Sequence, residues 1–319
     1  EGEIKNGGNK MKKILFVILG LSVLTLVSCK QKEVDYTKAE KEELIVKAFV
    51  SFMETSEGKA TIQGKGGIVL VTATDKSWDE VKENHPVTKL DNSDITIKFG
   101  GSTSVESVAK ALSVQFSPLA GNFIASHEHT GSGDAVKRTV GTESESANKI
   151  HIGFASRDFS DDENKLIGNK ISGRLAYDAV VAIANLNNLI NDVSKETLTN
   201  IYNGTITNFN QISGDNLDIK VYTRDTTSGT REAFFSGIGF KKAEKDNAVL
   251  VDGFMEVESN GAMLTNVKND LNGLGYASLS SIENSGVKGL SFEGVIASTE
   301  NVLNNTYQLK RPFMFVTRY

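Results

Sequence analysis

The residues best suited to chemistry lie between Tyr222 and Phe235, where Arg224, Thr226, Thr227, Ser228, Gly229 and Thr230 crowd into a few positions. Before them, residues 217–221 alternate apolar and polar side chains as a half-buried strand does. After them, residues 231–235 read as the first turns of a helix. A helix N-terminus offers unpaired N–H groups and the positive end of a dipole, which suits an anion. Ser228 and Thr230 would add hydroxyl donors, Gly229 would let the backbone approach closely, and Arg224 would supply a bidentate fork. The same residues also read as a serine N-cap on a surface helix with Arg224 in solvent.

Other loops share this strand-to-helix position. Residues 95–99 lead into Gly100, Gly101, Ser102, Thr103 and Ser104, and residues 125–129 lead into Thr130, Gly131, Ser132 and Gly133. Residues 150–154 lead into Ala155, Ser156 and Arg157. Singly, each is a hydroxyl cap beside glycine. Brought together, they would form a cage of N–H and O–H donors with almost no cationic residues, suited to a small desolvated tetrahedral oxyanion.

The elements that must position these loops alternate along the chain. Strand-like runs at 95–99, 150–155 and 179–185 are followed by helical runs at 105–116, 161–168 and 195–202. Such alternation predicts α/β layers with largely parallel sheets, whose ligands sit at the carboxyl ends of the strands. The 319 residues are enough for two domains.

A targeting segment precedes them. Met11, Lys12 and Lys13 open a basic region, and residues 14–26 form an apolar run of 13 residues. That is short of the ~20 needed to span a bilayer and fits the core of a secretion signal. Val27 and Ser28 lead to Cys29, in the manner of a bacterial lipobox, so residues 1–28 read as a signal peptide with 1–10 not translated. Cys29, the single cysteine of the chain, reads as the lipidation site, with residues 29–40 as a tether. Losing residues 1–28 removes four lysines and two glutamates, taking the net charge from −5 to −7. So acidic a chain is a poor partner for nucleic acid.

The motifs containing Ser102, Thr103 and Ser104, then Gly131 and Ser132, then Ser156 and Arg157, then Arg224 with Ser228, Gly229 and Thr230, resemble in order and style the phosphate-binding proteins of bacterial ABC phosphate importers. Residues 198–209, 275–279 and 309–313 extend the resemblance, which covers most of the chain after position 90. It implies a two-lobed, periplasmic-binding-protein-like (type II) α/β fold with a hinge of two crossovers. Lobe one would comprise residues 41–176 with 281–319, and lobe two residues 177–280. The implied function is capture of inorganic phosphate between the lobes and delivery to ABC permease subunits, by a lipoprotein held at the membrane through Cys29. Ser102, Thr103, Ser104 and Ser132 would grip the anion from one lobe, with Ser156 and Arg157 in the third loop, and Arg224, Ser228, Gly229 and Thr230 from the other. No cofactor, metal or catalytic group is implied.

This chain departs from the family in places. Where some members carry an aspartate that accepts the proton of hydrogen phosphate and repels sulfate, it has Ser156, with Asp158 and Asp178 as substitutes. Thr227 stands where glycine is usual. The helix and strand that normally follow the Arg311-Pro312-Phe313 strand have their likeness at residues 44–60 and 66–71, which implies a circular permutation joined by residues 72–94. It places residues 68–71 beside 313–317 in one lobe.

Rival readings are weaker on the residues. The serines form no Gly-x-Ser-x-Gly elbow and there is no P-loop, which argues against a hydrolase. His127 and His129 share a strand face that His151 could join around a metal, though core or surface histidines fit as well. The same fold holding sulfate or molybdate, or a non-transporting lipoprotein, are the remaining alternatives.

Overall fold

A computed structural model describes residues 35–319. The expected signal peptide and Cys29 lie outside the described residues. Helix α1 (Lys38–Met53) begins where Thr37 and Glu40 cap each other reciprocally, inside the stretch expected to be tether. Its Ile45, Val46, Phe49, Phe52 and Met53 recur at helical spacing and are all buried.

The other helices in chain order are α2 (Ser56–Gly64), α3 (Trp78–Val81), α4 (Glu106–Phe116), α5 (Gly133–Thr139), α6 (Asp161–Ile167), α7 (Lys195–Tyr202), α8 (Gly229–Gly237), α9 (Asn260–Asn269), α10 (Leu279–Ile282) and α11 (Thr299–Leu303). The strands are β1 (Thr96–Gly101), β2 (Ile124–Glu128), β3 (Ile152–Ala155), β4 (Ser172–Asn185), β5 (Asp192–Val193), β6 (Lys220–Arg224), β7 (Met255–Val257), β8 (Gly273–Ser278), β9 (Val287–Gly289), β10 (Ser291–Phe292) and β11 (Lys310–Thr317).

Nine strands form one sheet in the order β2-β1-β3-β11-β4-β8-β6-β7, with β9 also on β4. Its two ends are parallel, β2-β1-β3 and β8-β6-β7. Its centre is antiparallel, because β11 runs against both β3 and β4, and β4 against β8. The expectation of largely parallel strands therefore holds at the ends and fails at the centre. There β4 leaves the first lobe and β11 returns to it, so these two crossover strands must run in opposite directions.

Two large cores flank the crossovers. The first gathers Phe49, Phe52, Trp78, Phe99, Phe116 and Phe154 with Phe313 and Phe315 of β11. The second gathers Val180, Ile201, Tyr202, Phe234, Phe235 and Tyr276. Leu290, Phe292, Val302, Tyr307 and Leu309 also belong to the second core. The return to the first lobe thus occurs at β11, not at residue 281 as the sequence reading placed it, because the 290–309 segment buries its apolar side chains on lobe two.

The N-terminal helices α1 and α2 complete the first core. Residues 66–71 form no strand. Ile68 alone makes a two-way antiparallel bridge to Tyr177 of β4, with N···O distances of 2.8 and 2.7 Å. Leu70 and Val71 beyond it are exposed. The side chain of Ile68 packs in the second core, whereas Val69 packs on the first, so this segment lies along the crossover.

Candidate oxyanion-binding site

The carboxyl end of β1 turns at Gly101, whose φ is +97° and where a Cβ would lie 2.2 Å from the carbonyl oxygen of Phe154. Only glycine fits there. The turn lets the Ser102 amide donate to that same carbonyl at 2.7 Å and brings Ser102 and Ser104 inward. The Gly131 amide donates to the Gly101 carbonyl, fastening the second loop to the first. Ser132 and Ser156 close the group: Ser102 Oγ donates to Ser156 Oγ at 2.9 Å, Ser132 Oγ lies 3.1 Å from Ser156 Oγ, and the Ser156 amide donates to Ser132 Oγ at 3.0 Å.

The second lobe contributes the start of α8. Ser228 is its N-cap, accepting from the Arg231 amide. Gly229 lies so near the first lobe that a Cβ on it would be 2.5 Å from Ser132 Oγ and 2.9 Å from Ser156 Oγ. Ser104 Oγ and Thr230 Oγ1 stand 2.9 Å apart across the cleft, and Asn260 Nδ2 donates to Ser104 Oγ at 2.9 Å. Ser102, Ser104, Ser132, Ser156, Ser228 and Thr230 are all buried, at 2% exposure or less. Buried hydroxyls need polar partners, and these find them in one another, in Asn260 and in the α8 backbone.

Arg224, at the end of β6, is 1% exposed. Its Nε donates to the Val257 carbonyl at 3.1 Å and its Nη2 to the Glu258 carbonyl at 2.9 Å. Among the described residues its Nη1 is buried without a partner. Arg231 locks the backbone beneath it, donating from Nη1 to the Arg224 carbonyl at 2.7 Å and from Nε to the Ala243 carbonyl at 2.8 Å. Tyr276 accepts from the Arg224 amide through its hydroxyl, at 3.1 Å. Burial pushes the Arg224 guanidinium below its ordinary pKa, so a nearby negative charge is favourable.

Two expected residues stand apart. Arg157 has its fork on Glu163, at 2.6 and 2.9 Å, and its Nε is 3.6 Å from Glu232. Glu163 sits there because it closes the capping box of α6, so an acid six residues on captures the arginine. Thr103 lies half-buried on the wall of a surface pocket of ≈ 420 Å³ with Glu106, Lys110 and Asn260. Of the two substitute carboxylates, Asp158 is exposed, whereas Asp178 is fully buried.

One cage residue escaped the sequence reading, which noted it only as part of the 309–313 stretch. Arg311 of β11, 3% exposed, donates from Nη1 to Ser156 Oγ at 3.1 Å and from Nη2 to Ser104 Oγ at 2.8 Å. A signal existed: Arg311, Phe313 and Phe315 occupy alternate inward positions of one strand, where a charge needs a partner. The cage thus holds Arg224 and Arg311 where Arg224 and Arg157 were expected, with Asp178 on Arg311 and Asp225 3.5 Å from Arg224.

The histidines are engaged otherwise. His127 and His129 stack with Nδ1 and Nε2 3.3 Å apart, His127 Nε2 lies 2.9 Å from Ser113 Oγ, and His129 Nδ1 lies 3.0 Å from the Ser102 carbonyl. His151 is held elsewhere, accepting from the Lys98 amide at 2.8 Å. Burial holds each of the three at about 4. Among the described residues no group of three or more His, Cys, Asp and Glu side chains is placed to hold a metal ion.

Comparison with known proteins gives the family. The family described as the PBP superfamily domain matches residues 54–318. The phosphate-binding protein PstS of Borreliella burgdorferi is 27% identical over 227 residues, covering 69% of this chain and 78% of that one. A crystal structure from Clostridium perfringens, a phosphate ABC transporter substrate-binding protein with bound phosphate, is 31% identical with a TM-score of 0.62, covering 70% of this chain and 86% of its own. An ABC-type phosphate transport receptor from Vibrio cholerae is 28% identical with a TM-score of 0.54 over the same shares. These relatives are binding proteins of transport systems, not enzymes. With both its crossover fold and its hydroxyl-lined cleft accounted for, the chain belongs to the PBP superfamily, as a PstS-like member.

Proposed function

We propose that the protein captures inorganic phosphate between its lobes and delivers it to the permease subunits of an ABC importer, held at the membrane by a lipid on Cys29. The observation that carries the reading is the convergence of buried hydroxyls from Ser102, Ser104, Ser132, Ser156 and Thr230 on the N-terminus of α8, beside an Arg224 whose Nη1 has no partner among the described residues. A tetrahedral oxyanion would take those donors together. Ser104, Ser132, Arg224, Ser228, Gly229 and Thr230 would touch it, with Ser102 and Ser156 behind Ser132. Arg157 and Thr103 are left out of the grip.

Sulfate or molybdate is the competing ligand, because Ser156 occupies the loop where a proton-accepting aspartate would exclude them. Equilibrium dialysis with labelled phosphate tests the assignment. Saturable retention that Ser104→Ala weakens by about tenfold supports it. Retention only of labelled sulfate would replace the ligand, and retention of neither would refute the reading.

The permuted connectivity belongs to the same proposal. Helices α1 and α2 fill the first core beside Phe313 and Phe315. Tyr319 stacks on His151, whose Nε2 is 3.5 Å from Glu42 of α1. Tyr319 thus lies close to the first helix, as the permuted order requires.

A further inference from the structure

Arg311 and Asp178 sit directly opposite each other on the crossover strands β11 and β4. Both are buried, and Arg311 donates from Nε at 3.0 Å and from Nη2 at 2.8 Å to the same oxygen, Asp178 Oδ2. Ser278 at the end of β8 donates to that oxygen as well, at 2.7 Å. A packed apolar pair is often at least as stabilising as a buried ion pair, so burial alone does not account for this one. What it does beyond holding itself together is visible in the hydroxyls it reaches.

A serine hydroxyl has one proton to donate and two lone pairs with which to accept. Ser104 Oγ receives Arg311 Nη2 at 2.8 Å and Asn260 Nδ2 at 2.9 Å, so both lone pairs are occupied and its proton can only point toward Thr230 and the cleft. Ser156 Oγ receives Arg311 Nη1 at 3.1 Å and the Ser102 hydroxyl at 2.9 Å, so its proton goes to Ser132. Ser132 Oγ then has both lone pairs filled, by the Ser156 hydroxyl and the Ser156 amide, and its own proton is left for the cleft beside Gly229. The direction of the hydroxyl chain follows from Arg311 Nη1 and Nη2 acting with Asn260, the Ser102 hydroxyl and the Ser156 amide.

We propose that Arg311 is a positioning residue of the cage: anchored by Asp178 at the hinge, it orders the Ser104 and Ser156 hydroxyls so that the cleft presents donors only. This rests on the oxyanion reading of the site. Lysine cannot replace it, because a single ammonium cannot hold Asp178 and two serines in a planar fork. Burial, and after it the nearby charge of Arg224, act against the guanidinium, while Asp178 supports it. The second cation also adds to the attraction for a multiply charged anion.

The test is calorimetric titration with inorganic phosphate of the full chain and of Arg311→Lys, Ser104→Ala and the double variant, with Tm measured for each. Arg311→Lys is expected to raise Kd about tenfold or more, as loss of charge-assisted hydrogen bonding does. Because Arg311 acts partly through Ser104, the double variant should fall well short of the product of the two single losses. A purely structural arginine would lower Tm without that coupling. Should Arg311→Lys not fold, Arg311→Met/Asp178→Leu removes both charges together and is expected to fold with Kd still raised tenfold or more. Multiplying losses, or wild-type affinity in either Arg311 variant, overturns the proposal. Absence of phosphate binding in the unaltered protein instead overturns the ligand reading, and the Arg311 role with it.

Discussion

Gly229→Ala adds one methyl group at the tightest contact between the lobes. Gly229 does not have a positive φ and lies at the start of a helix, so alanine suits its backbone. The new Cβ, however, would lie 2.5 Å from Ser132 Oγ, 2.9 Å from Ser156 Oγ and 3.0 Å from Ser132 Cβ. None of these atoms is free to retreat: Ser132 and Ser156 are buried and hydrogen-bonded to each other. Overpacking of this kind costs about 1–3 kcal/mol, which is roughly a 5- to 150-fold loss in affinity. The clash exists only while the lobes are closed. In the unfolded chain the same substitution reduces backbone freedom, worth about 0.4–1 kcal/mol toward stability. The expected signature is weaker phosphate binding by calorimetry with an unchanged or raised Tm, and a larger radius of gyration by small-angle scattering in phosphate. Affinity within twofold of the unaltered protein would refute the argument that Gly229 is small so that the cage can close.

Further predictions follow from other contacts. Arg157→Ala should leave phosphate Kd within about threefold, because its fork belongs to Glu163, while lowering stability by about 1 kcal/mol; a hundredfold loss of binding would return it to the grip. His127, His129 and His151 are held at about 4 against the ordinary 6.5. The unfolded chain therefore takes up their protons first, so stability is complete above pH ~6.5 and is lost as pH falls toward ~4. Allowing for partial exposure, the loss should be on the order of a few kcal/mol, read as falling Tm, and a flat Tm over that window would contradict it. Moving residues 36–71 behind Tyr319 through a short linker should give a folded, phosphate-binding protein; an unfolded product would count against the permutation.

The parts of this structure that were legible in sequence are those fixed by neighbours in the chain. Glycine and hydroxyl residues after an alternating run identified Ser102, Ser104, Ser132 and Ser156, and the Ser228 cap identified the start of α8, two residues ahead of the expected Arg231. The strand before it was displaced, from 217–221 to Lys220–Arg224, because Tyr222 and Thr223 are buried against β7 and β8 and not in a turn. Local chemistry also misled: Arg157 looked like a ligand residue but met Glu163 six positions on. Arg311 was missed for the opposite reason. Its partners, Asp178, Ser156 and Ser104, are 133, 155 and 207 residues away, and nothing near it in the chain announces them. The return point of the second crossover was missed likewise, since burial of residues 290–309 depends on a surface made by lobe two.

The decisive property of the cage is whether it takes phosphate through Arg224. Calorimetric titration of the protein, freed of bound anion, against phosphate and then sulfate answers this, with Arg224→Ala alongside. One phosphate per chain is expected, with loss of measurable heat in Arg224→Ala; a cleft of donors alone gives sulfate no carboxylate to repel it, so sulfate should compete. Equal phosphate affinity in the Arg224 variant, or no heat with either anion in the unaltered protein, would contradict it.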